Sequence, residues 1–460
     1  MLEIIIGILL IVCIIIFNIL FLKKKGSFQY ATKHIAVYSC LAVLIVCYLL
    51  FFEGLLHLKN RTTLEGIVEN VISDYFVVVF IFFFYIFEKW LKSRGEDKEK
   101  LRSDYDMLAK KYNAEVLISR SNGYYYPVVK MGSFNLRIYD GQRMLGVDHI
   151  HIEDSQNMYK LPRIIENNFS VLMAAHDTST LFNNKNIRVI KMEIHENQLF
   201  LTTERTFFYY SLVTNRAPDY EWDGITVREL FEPGPRLQPL ELSELSNHLG
   251  INGFVESSDG YVVFVKRSGK VSIGKRTYGD SVGASIKAKY ALNKDGFFTG
   301  EGLINAVLQE IMDELKIDLK NCSTVNLIGI YRDAVEIGKP QILFYAKTDV
   351  NAKEISKNFY EKTKSIVQRT KKKISNREKK RQVAEQKVLE DGSKLVWIKK
   401  DDLIETVFEE NGIQVPEGAV FDYDYINGFF NSCKETFLPM VPSASASIRM
   451  LLSFFTDYDC

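Results

Sequence analysis

The feature that most limits how this chain can fold is an almost unbroken apolar run, Leu2 to Leu22, closed by Lys23-Lys24-Lys25. At about 1.5 Å of rise per residue, a helix of that length crosses a hydrocarbon core of roughly 30 Å. A cleaved signal peptide would carry its basic residues first and a small-residue cleavage site after the run, and neither is present. Ile35 to Leu56 and Val71 to Leu91 repeat the pattern, the latter dense in Phe and Tyr between Tyr75 and Phe87. The expectation is an N-terminal α-helical transmembrane bundle with spans at about 2–22, 35–56 and 71–91. Lys23, Lys24, Lys25 and Lys33 place the first loop inside, and Lys59 and Arg61 then fall outside. Lys89, Lys92 and Arg94 return the chain to the inside. That topology puts the N-terminus out and the C-terminal domain in the cytoplasm, with the lipid bilayer as a partner and a homo-oligomer assembled through the spans. Glu3, Glu53 and Asp74 lie near span ends, where water is within reach, and nothing there resembles a selectivity filter.

The 460 residues leave room for roughly three units of ordinary size. Residues 92–112 read as a charged connector. Residues 113–235 read as a small α+β module, with strand-like runs at Phe134 to Tyr139 and Gln198 to Thr203 and a helix around Leu161 to Ala175. His149 and His151 fall on one face of a strand, as two metal ligands would, but no third ligand accompanies them and structural histidines are the better reading. The aromatics of Arg205 to Asn215 fit either a core strand or a surface that stacks a base. Pro233, Pro235 and Pro239 around Gly234 mark a boundary. Six cysteines without C-x-x-C spacing give no disulfide framework.

The net charge of +1 excludes nothing, but its distribution is uneven. Between Lys353 and Lys387 stand 13 Lys or Arg against 4 Glu, a local excess of +9 within a basic insertion at 351–393. Such a field attracts lipid headgroups, nucleic acid or a polyanionic nucleotide, and it also suits a solvated protrusion. From Phe421 on, the chain reads as a helix carrying Phe429, Phe430 and Phe437. A Pro/Ser turn and an apolar helix, Ile448 to Phe455, follow.

Between these regions lies Gly300 to Ile317, GEGLINAVLQEIMDELKI. On a helix, Leu303, Val307, Ile311 and Leu315 share one face, while Glu310, Asp313 and Glu314 gather on another. Carboxylates at that spacing repel unless a cation sits among them, and hard oxygen ligands suit Mg²⁺ or Mn²⁺ completed by substrate phosphates. A solvated acidic face is the plain alternative. Strand-like segments flank the helix. Tyr261 to Lys266 and Lys270 to Arg276 bracket Ser268-Gly269 as a hairpin, Ser281 to Leu292 reads as a further strand, and Val325 to Tyr331, Gln341 to Lys347 and Lys394 to Lys399 follow.

This stretch resembles the Nudix box, G-x5-E-x7-R-E-U-x-E-E-x-G-U. Glu301 matches its first Glu, Glu310 the Glu after Arg, Ile311 the aliphatic position, Asp313 and Glu314 the paired acids, and Ile317 the closing aliphatic. Three positions depart: Asp295 stands for the first Gly, Gln309 for the Arg and Lys316 for the last Gly. A neutral Gln309 lacks the charge-assisted clamp that Arg supplies. The resemblance implies a Nudix-like α/β/α sandwich over residues 236–445, followed by a tail at 446–460. It further implies a Mg²⁺ or Mn²⁺ site on Glu310, Asp313 and Glu314. In an active enzyme Glu301 and Glu314 carry the catalytic roles.

Spans followed by such a domain resemble the transmembrane Nudix effectors of bacterial cyclic-oligonucleotide anti-phage (CBASS-type) systems. That resemblance implies an effector of the bacterial inner membrane, whose cytoplasmic domain binds a nucleotide or cyclic oligonucleotide and drives membrane disruption in antiviral defence. The other reading is a membrane-anchored, Mg-dependent hydrolase of nucleoside diphosphate derivatives.

Overall fold

Apolar alternation between residues 125 and 432 is spent almost entirely on strands. The computed structural model describes residues 101 to 458, apart from 103, 113–116, 120–124, 177–178, 180, 268–270, 272, 362–391, 410 and 425–426. The first strands are β1 (Leu117–Ser119), β2 (Tyr125–Tyr139), β3 (Ile150–Met158), β4 (Lys185–His195) and β5 (Gln198–Phe207). They are followed by β6 (Gly250–Glu256), β7 (Tyr261–Arg267), β8 (Tyr278–Gly279), β9 (Val282–Ser285), β10 (Cys322–Asp333) and β11 (Lys339–Thr348). The last are β12 (Gly392–Lys399), β13 (Val407–Glu409), β14 (Gly412–Gln414), β15 (Val420–Asp424), β16 (Phe429–Ser432) and β17 (Phe437–Pro439). Eleven of them join one sheet in the order β1-β2-β10-β11-β6-β7-β12-β15-β16, with β8 on β7 and β9 on β6. Every pairing in that sheet is antiparallel except β11 with β6. Two three-stranded sheets, β3-β5-β4 and β13-β14-β17, complete the set.

A strand buried on both faces needs apolar residues at every position rather than at alternate ones, and β11 has them. Ile342, Phe344 and Ala346 enter one core while Leu343 and Tyr345 enter the other. Four helices bear on the site or these cores: α1 (Ala288–Ala291), α2 (Gly300–Leu315), α3 (352–361) and α4 (Pro442–Tyr458). The first core takes Leu303, Val307 and Ile311 of α2 together with Ile150, Val189 and Leu199 of the β3-β5-β4 sheet. The second takes Ile448, Leu451 and Phe455 of α4.

This architecture corrects the expected fold class. Among the described residues no helix is long and apolar enough to cross a membrane. The 17 residues of α4 extend about 26 Å, short of a roughly 30 Å hydrocarbon core, and one side of the helix packs on the sheet. What the structure shows is a mixed sheet with few helices, in place of a three-span bundle leading an α+β module and an α/β/α sandwich. The transmembrane and inner-membrane expectations are corrected with it. The runs at 2–22, 35–56 and 71–91 that carried them lie outside the described residues.

Smaller differences have local causes. The described residues between Lys270 and Arg276 form no second strand of a hairpin, because Gly274 and Arg276 take positive φ (62° and 63°) and turn the chain, and β8 pairs with β7 instead. The strand expected over Ser281 to Leu292 ends at Ser285 and gives way to α1. Phe429, Phe430 and Phe437 lie in strands β16 and β17, not in a helix. β2 pairs with β10 from Val325↔Tyr139 to Asp333↔Val128, so the large sheet spans the proline-rich boundary, and Lys98–Cys460 is one compact unit.

The entry to α2 is set by a buried ion pair. Arg205 on β5 donates to Asp154 on β3 through Nη1 (2.6 Å) and Nη2 (2.5 Å), with both side chains at most 2% exposed. Asp154 Oδ2 also accepts from the Phe298 backbone N–H (2.8 Å), and Arg205 Nη2 donates to the Gly296 carbonyl (2.9 Å). The loop ahead of α2 is thereby pinned to two strands. Thr299 then caps the helix, its Oγ1 accepting from Gly302 N–H (3.1 Å). At Gly302 a Cβ would come within 1.9 Å of the Ala291 carbonyl oxygen, so glycine is what lets α2 lie against α1.

Two outcomes follow. Replacing Gly302 by Ala forces α1 and α2 apart and costs about 1–3 kcal/mol, read by denaturant unfolding. Burial pushes the Asp154 carboxyl up, but Arg205, the Phe298 N–H and Thr203 outweigh it and hold the group below its ordinary range. Its contribution is therefore present above the unfolded carboxyl value of about 4 and lost as pH falls through the lower folded value. Asp154→Asn, which leaves Arg205 buried without its counter-charge, costs about 3–5 kcal/mol at neutral pH, and that deficit shrinks in strongly acidic unfolding measurements.

Candidate functional site

The acidic face of α2 turns toward a lysine. Glu310 is fully buried, and its Oε2 accepts from Lys287 Nζ at 2.8 Å. Lys287 stands just ahead of α1 and reaches α2 because Gly302 brings the two helices together. Burial alone would drive its ammonium down, but the charge and hydrogen bond of Glu310, with Glu314 behind, hold it above the ordinary lysine range. Asp313 Oδ2 accepts from the Tyr290 hydroxyl (2.7 Å) and its Oδ1 from Gln309 Nε2 (3.3 Å). Burial and that bond to Asp313 push the Tyr290 hydroxyl up to about 12. Gln309, at the box Arg position, thus serves Asp313, and the cation beside Glu310 comes from Lys287. Lys316 adopts the left-handed conformation (φ 58°, ψ 27°) of the glycine it stands for.

The structure brings Glu310, Asp313 and Glu314 to one side of α2 but leaves Glu301 in the exposed first turn, about 13 Å back along the axis. Among the described residues no group of three or more His, Cys, Asp or Glu is arranged to hold a metal ion. Glu310 is engaged by Lys287, and Asp313 by Tyr290 and Gln309. A divalent cation here would have to compete with the Lys287 ammonium for Glu310, whose other oxygen, Oε1, is buried without a hydrogen-bond partner among the described residues.

Beside this face opens a cleft of about 210 Å³. Lys287 and Glu314 line it, as do Gly283 and Ser285 of β9 and, before β9, Gly279 and Asp280. Phe182, Phe208, Arg216, Arg267 and the first turn of α4 wall it. Arg216 pairs with Glu336 (3.3 Å), and its guanidinium carbon lies over the Phe208 ring, 5.1 Å from the ring centre. Arg267 donates through Nε (3.3 Å) and Nη2 (3.1 Å) to the Ile273 carbonyl. Two buried oxygens on the cleft wall, Asn186 Oδ1 and Asp280 Oδ1, have no hydrogen-bond partner among the described residues. Burial lifts the Asp280 carboxyl well above its usual range, with the Arg267 charge and the Ser447 hydroxyl opposing.

The other candidates lie elsewhere. His151 bonds Gln198 (2.7 Å) and stacks on Phe200, and His149 sits in a helical turn at Val147–His149. Of the aromatics in Arg205 to Asn215, Phe208 lines the cleft. Residues 362–391 of the basic insertion lie outside the described residues. Lys287, Asp280, Arg267 and Asn186 escaped the sequence reading. They come from a turn, a loop and strand ends with no shared spacing, and nothing in the chain marks them before it folds.

No protein-family model matches the chain. A curated relative, the uridine diphosphate glucose pyrophosphatase NUDT22 of Bos taurus, is 25% identical over 169 residues, 35% of this chain and 56% of the relative. The chain thus spans little more than half the length of that relative. A crystal structure of DR0079 from Deinococcus radiodurans aligns with a TM-score of 0.18 at 17% identity, covering 23% of this chain and 57% of that one, a likeness too slight to bear on the fold. The first similarity supports a Nudix-like relationship over about a third of the chain. The likeness to anti-phage effectors is not shown by either.

Removing Lys287 leaves Glu310 buried with its charge uncompensated, so Lys287→Met is expected to cost about 3 kcal/mol. Adding Glu310→Gln recovers most of that loss. A double-mutant cycle in urea measures the recovery, and additive losses would show that the pair does not couple.

Proposed function

We propose that the cleft binds a nucleoside diphosphate derivative. The observation that carries this reading is the convergence of Lys287, Arg216 and Arg267 with two unpartnered acceptors, Asn186 Oδ1 and Asp280 Oδ1, around one cavity next to α2. Cations suit the diphosphate. Phe182, which is 59% exposed, supplies a ring face for a base, and Asn186 offers a hydrogen-bond acceptor to its edge. The relative's name, a pyrophosphatase acting on uridine diphosphate glucose, supports the same ligand class.

Binding is the primary function in this reading, because Glu310 and Asp313 already have partners other than a metal. Hydrolysis of the diphosphate is the second reading, favoured by the enzymatic name of the relative. A divalent ion would supply a polarised phosphate and an activated water there. This chain's own contribution is to hold the diphosphate with Lys287 and to close one side of the cleft with Phe208. A cyclic oligonucleotide, which offers bases and phosphodiesters of the same chemistry, is the alternative ligand.

The test is calorimetric titration of the full chain with uridine diphosphate, uridine diphosphate glucose and a cyclic dinucleotide, with and without Mg²⁺, followed by chromatography of the recovered ligand. Retention of an intact ligand supports binding, its cleavage supports the hydrolase, and no heat from any nucleotide removes the reading. Gly283 has ordinary room for a Cβ, 3.6 Å from Asn252 Oδ1 and 3.9 Å from Arg267 Nη1. Gly283→Val is therefore expected to fill the cleft, weakening binding at least tenfold with the melting temperature unchanged.

A further inference from the structure

A second cavity, of about 310 Å³, shares Val441 and Ser443 with the cleft and is otherwise lined by residues the cleft does not touch. Most of its wall is apolar, with Ile273, Val335, Pro439 and Met440 joined by Leu101 and Tyr105 from the chain entering the helix Tyr105–Lys111. Into this surface two carboxyls are set, Asp333 at the end of β10 and Glu336 in the turn that follows, 3% and 7% exposed. Glu336 pairs with Arg216 (3.3 Å) and Lys339 (3.4 Å), neither of which lines the cavity. Asp333 is served less well. Its Oδ1 accepts from the Val335 and Glu336 N–H groups (2.8 and 3.4 Å), but its Oδ2 takes no hydrogen bond, and the side chain no ion pair, from the described residues. Burial and the Glu336 charge push the Asp333 carboxyl up, against the pull of Lys339 and the two backbone N–H groups.

Those features select among ligands. An anion meets two acids at short range. A divalent metal ion finds only two carboxyls in a mostly apolar wall, and among the described residues no group of three or more His, Cys, Asp or Glu is arranged to hold one. A neutral apolar molecule leaves Asp333 Oδ2 buried without a donor. A protonated amine on an alkyl stem answers both demands. Its ammonium brings a positive charge and three N–H donors to the acids, and its stem covers the apolar wall. The cavity stands at the small end of the range for ligand sites, about 300–1,000 Å³, which suits an amine of a few carbons.

We propose that this cavity is a binding site for a small primary amine, whose ammonium docks on Asp333 and Glu336 and whose stem lies along Ile273, Pro439 and Met440. The site is separate from the nucleotide cleft, and neither reading requires the other.

The experiment is calorimetric titration of the full chain with butylammonium, pentylammonium, butanol, Mg²⁺ and a doubly capped lysine, N-acetyl-lysine amide. Butylammonium is expected to saturate one site per chain, and pentylammonium to bind about threefold tighter through its added methylene. Butanol and Mg²⁺ are expected to bind at least tenfold more weakly, and so is the capped lysine, whose two amides do not fit the apolar wall. Asp333→Asn keeps the shape of the side chain and the Glu336–Arg216 pair, and is expected to weaken butylammonium at least tenfold. Ile273→Trp, which fills the cavity from its wall, is expected to abolish binding. Butanol equal to butylammonium overturns the proposal, because the acids then recognise nothing. Mg²⁺ binding as tightly as the amine assigns the acids to a metal, and a capped lysine at the amine's level assigns the cavity to a protein side chain; either overturns the small-amine site. No saturable binding of either amine overturns it, as does binding that survives both substitutions. Should Asp333→Asn fail to fold, Ile273→Trp and the comparison among ligands decide.

Discussion

The ion pair of Asp154 and Arg205 is the interaction on which the placement of the candidate site depends. It is bidentate, almost completely shielded from water, and shared with the backbone at Gly296 and Phe298. A buried pair of this kind seldom adds much net stability compared with apolar residues of the same volume, since desolvation consumes most of the attraction. Its value is positional. It fixes where the loop between α1 and α2 is held against the β3-β5-β4 sheet, and the later features of the site inherit that starting point through Thr299, Gly302 and the contact with α1.

A second charge pair decides what the acidic helix face can do. Clustered carboxylates need a counter-charge, and here Lys287 supplies it from outside the helix. The neutral Gln309 is then no defect in the packing, since it bonds Asp313 rather than leaving a hole. The same arrangement makes the face less receptive to a divalent ion, because an ammonium held 2.8 Å from a buried carboxylate must first be driven off. In the reading proposed above, ligand recognition falls instead to the cleft alongside, where arginines and buried acceptors meet.

Much of this was readable before folding where a single period governs. The stripe Leu303, Val307, Ile311, Leu315 sets the helix, and the apolar runs at Val325 to Tyr331 and Gln341 to Lys347 lie in the antiparallel pair β10 and β11. Reading failed where one local choice overrides the period. Positive φ at Gly274 and Arg276 broke an expected strand, and the aromatic residues 429, 430 and 437, which suit a helix or a strand, took the strand because sheet partners were at hand. The partners of the site were illegible for a different reason. Asn186, Asp280 and Lys287 are brought together by pairing between distant segments, such as the bridge Asn186↔Lys287, and no periodicity encodes such a meeting. The membrane reading rested on the length of three apolar runs and their basic flanks, all outside the described residues, and the helices that are described pack their apolar stripes against sheet.

The pairing of β2 with β10 has a practical consequence. Cutting the chain at its proline-rich junction, to isolate the part that carries α2, would strip β10 of its neighbour from Val325 to Asp333. A long, unpaired and largely apolar sheet margin would then face water, an open template for self-association. A truncated preparation that precipitates would be reporting that bare margin, and it would also lack Phe182, Asn186, Phe208 and Arg216 from the wall of the cleft.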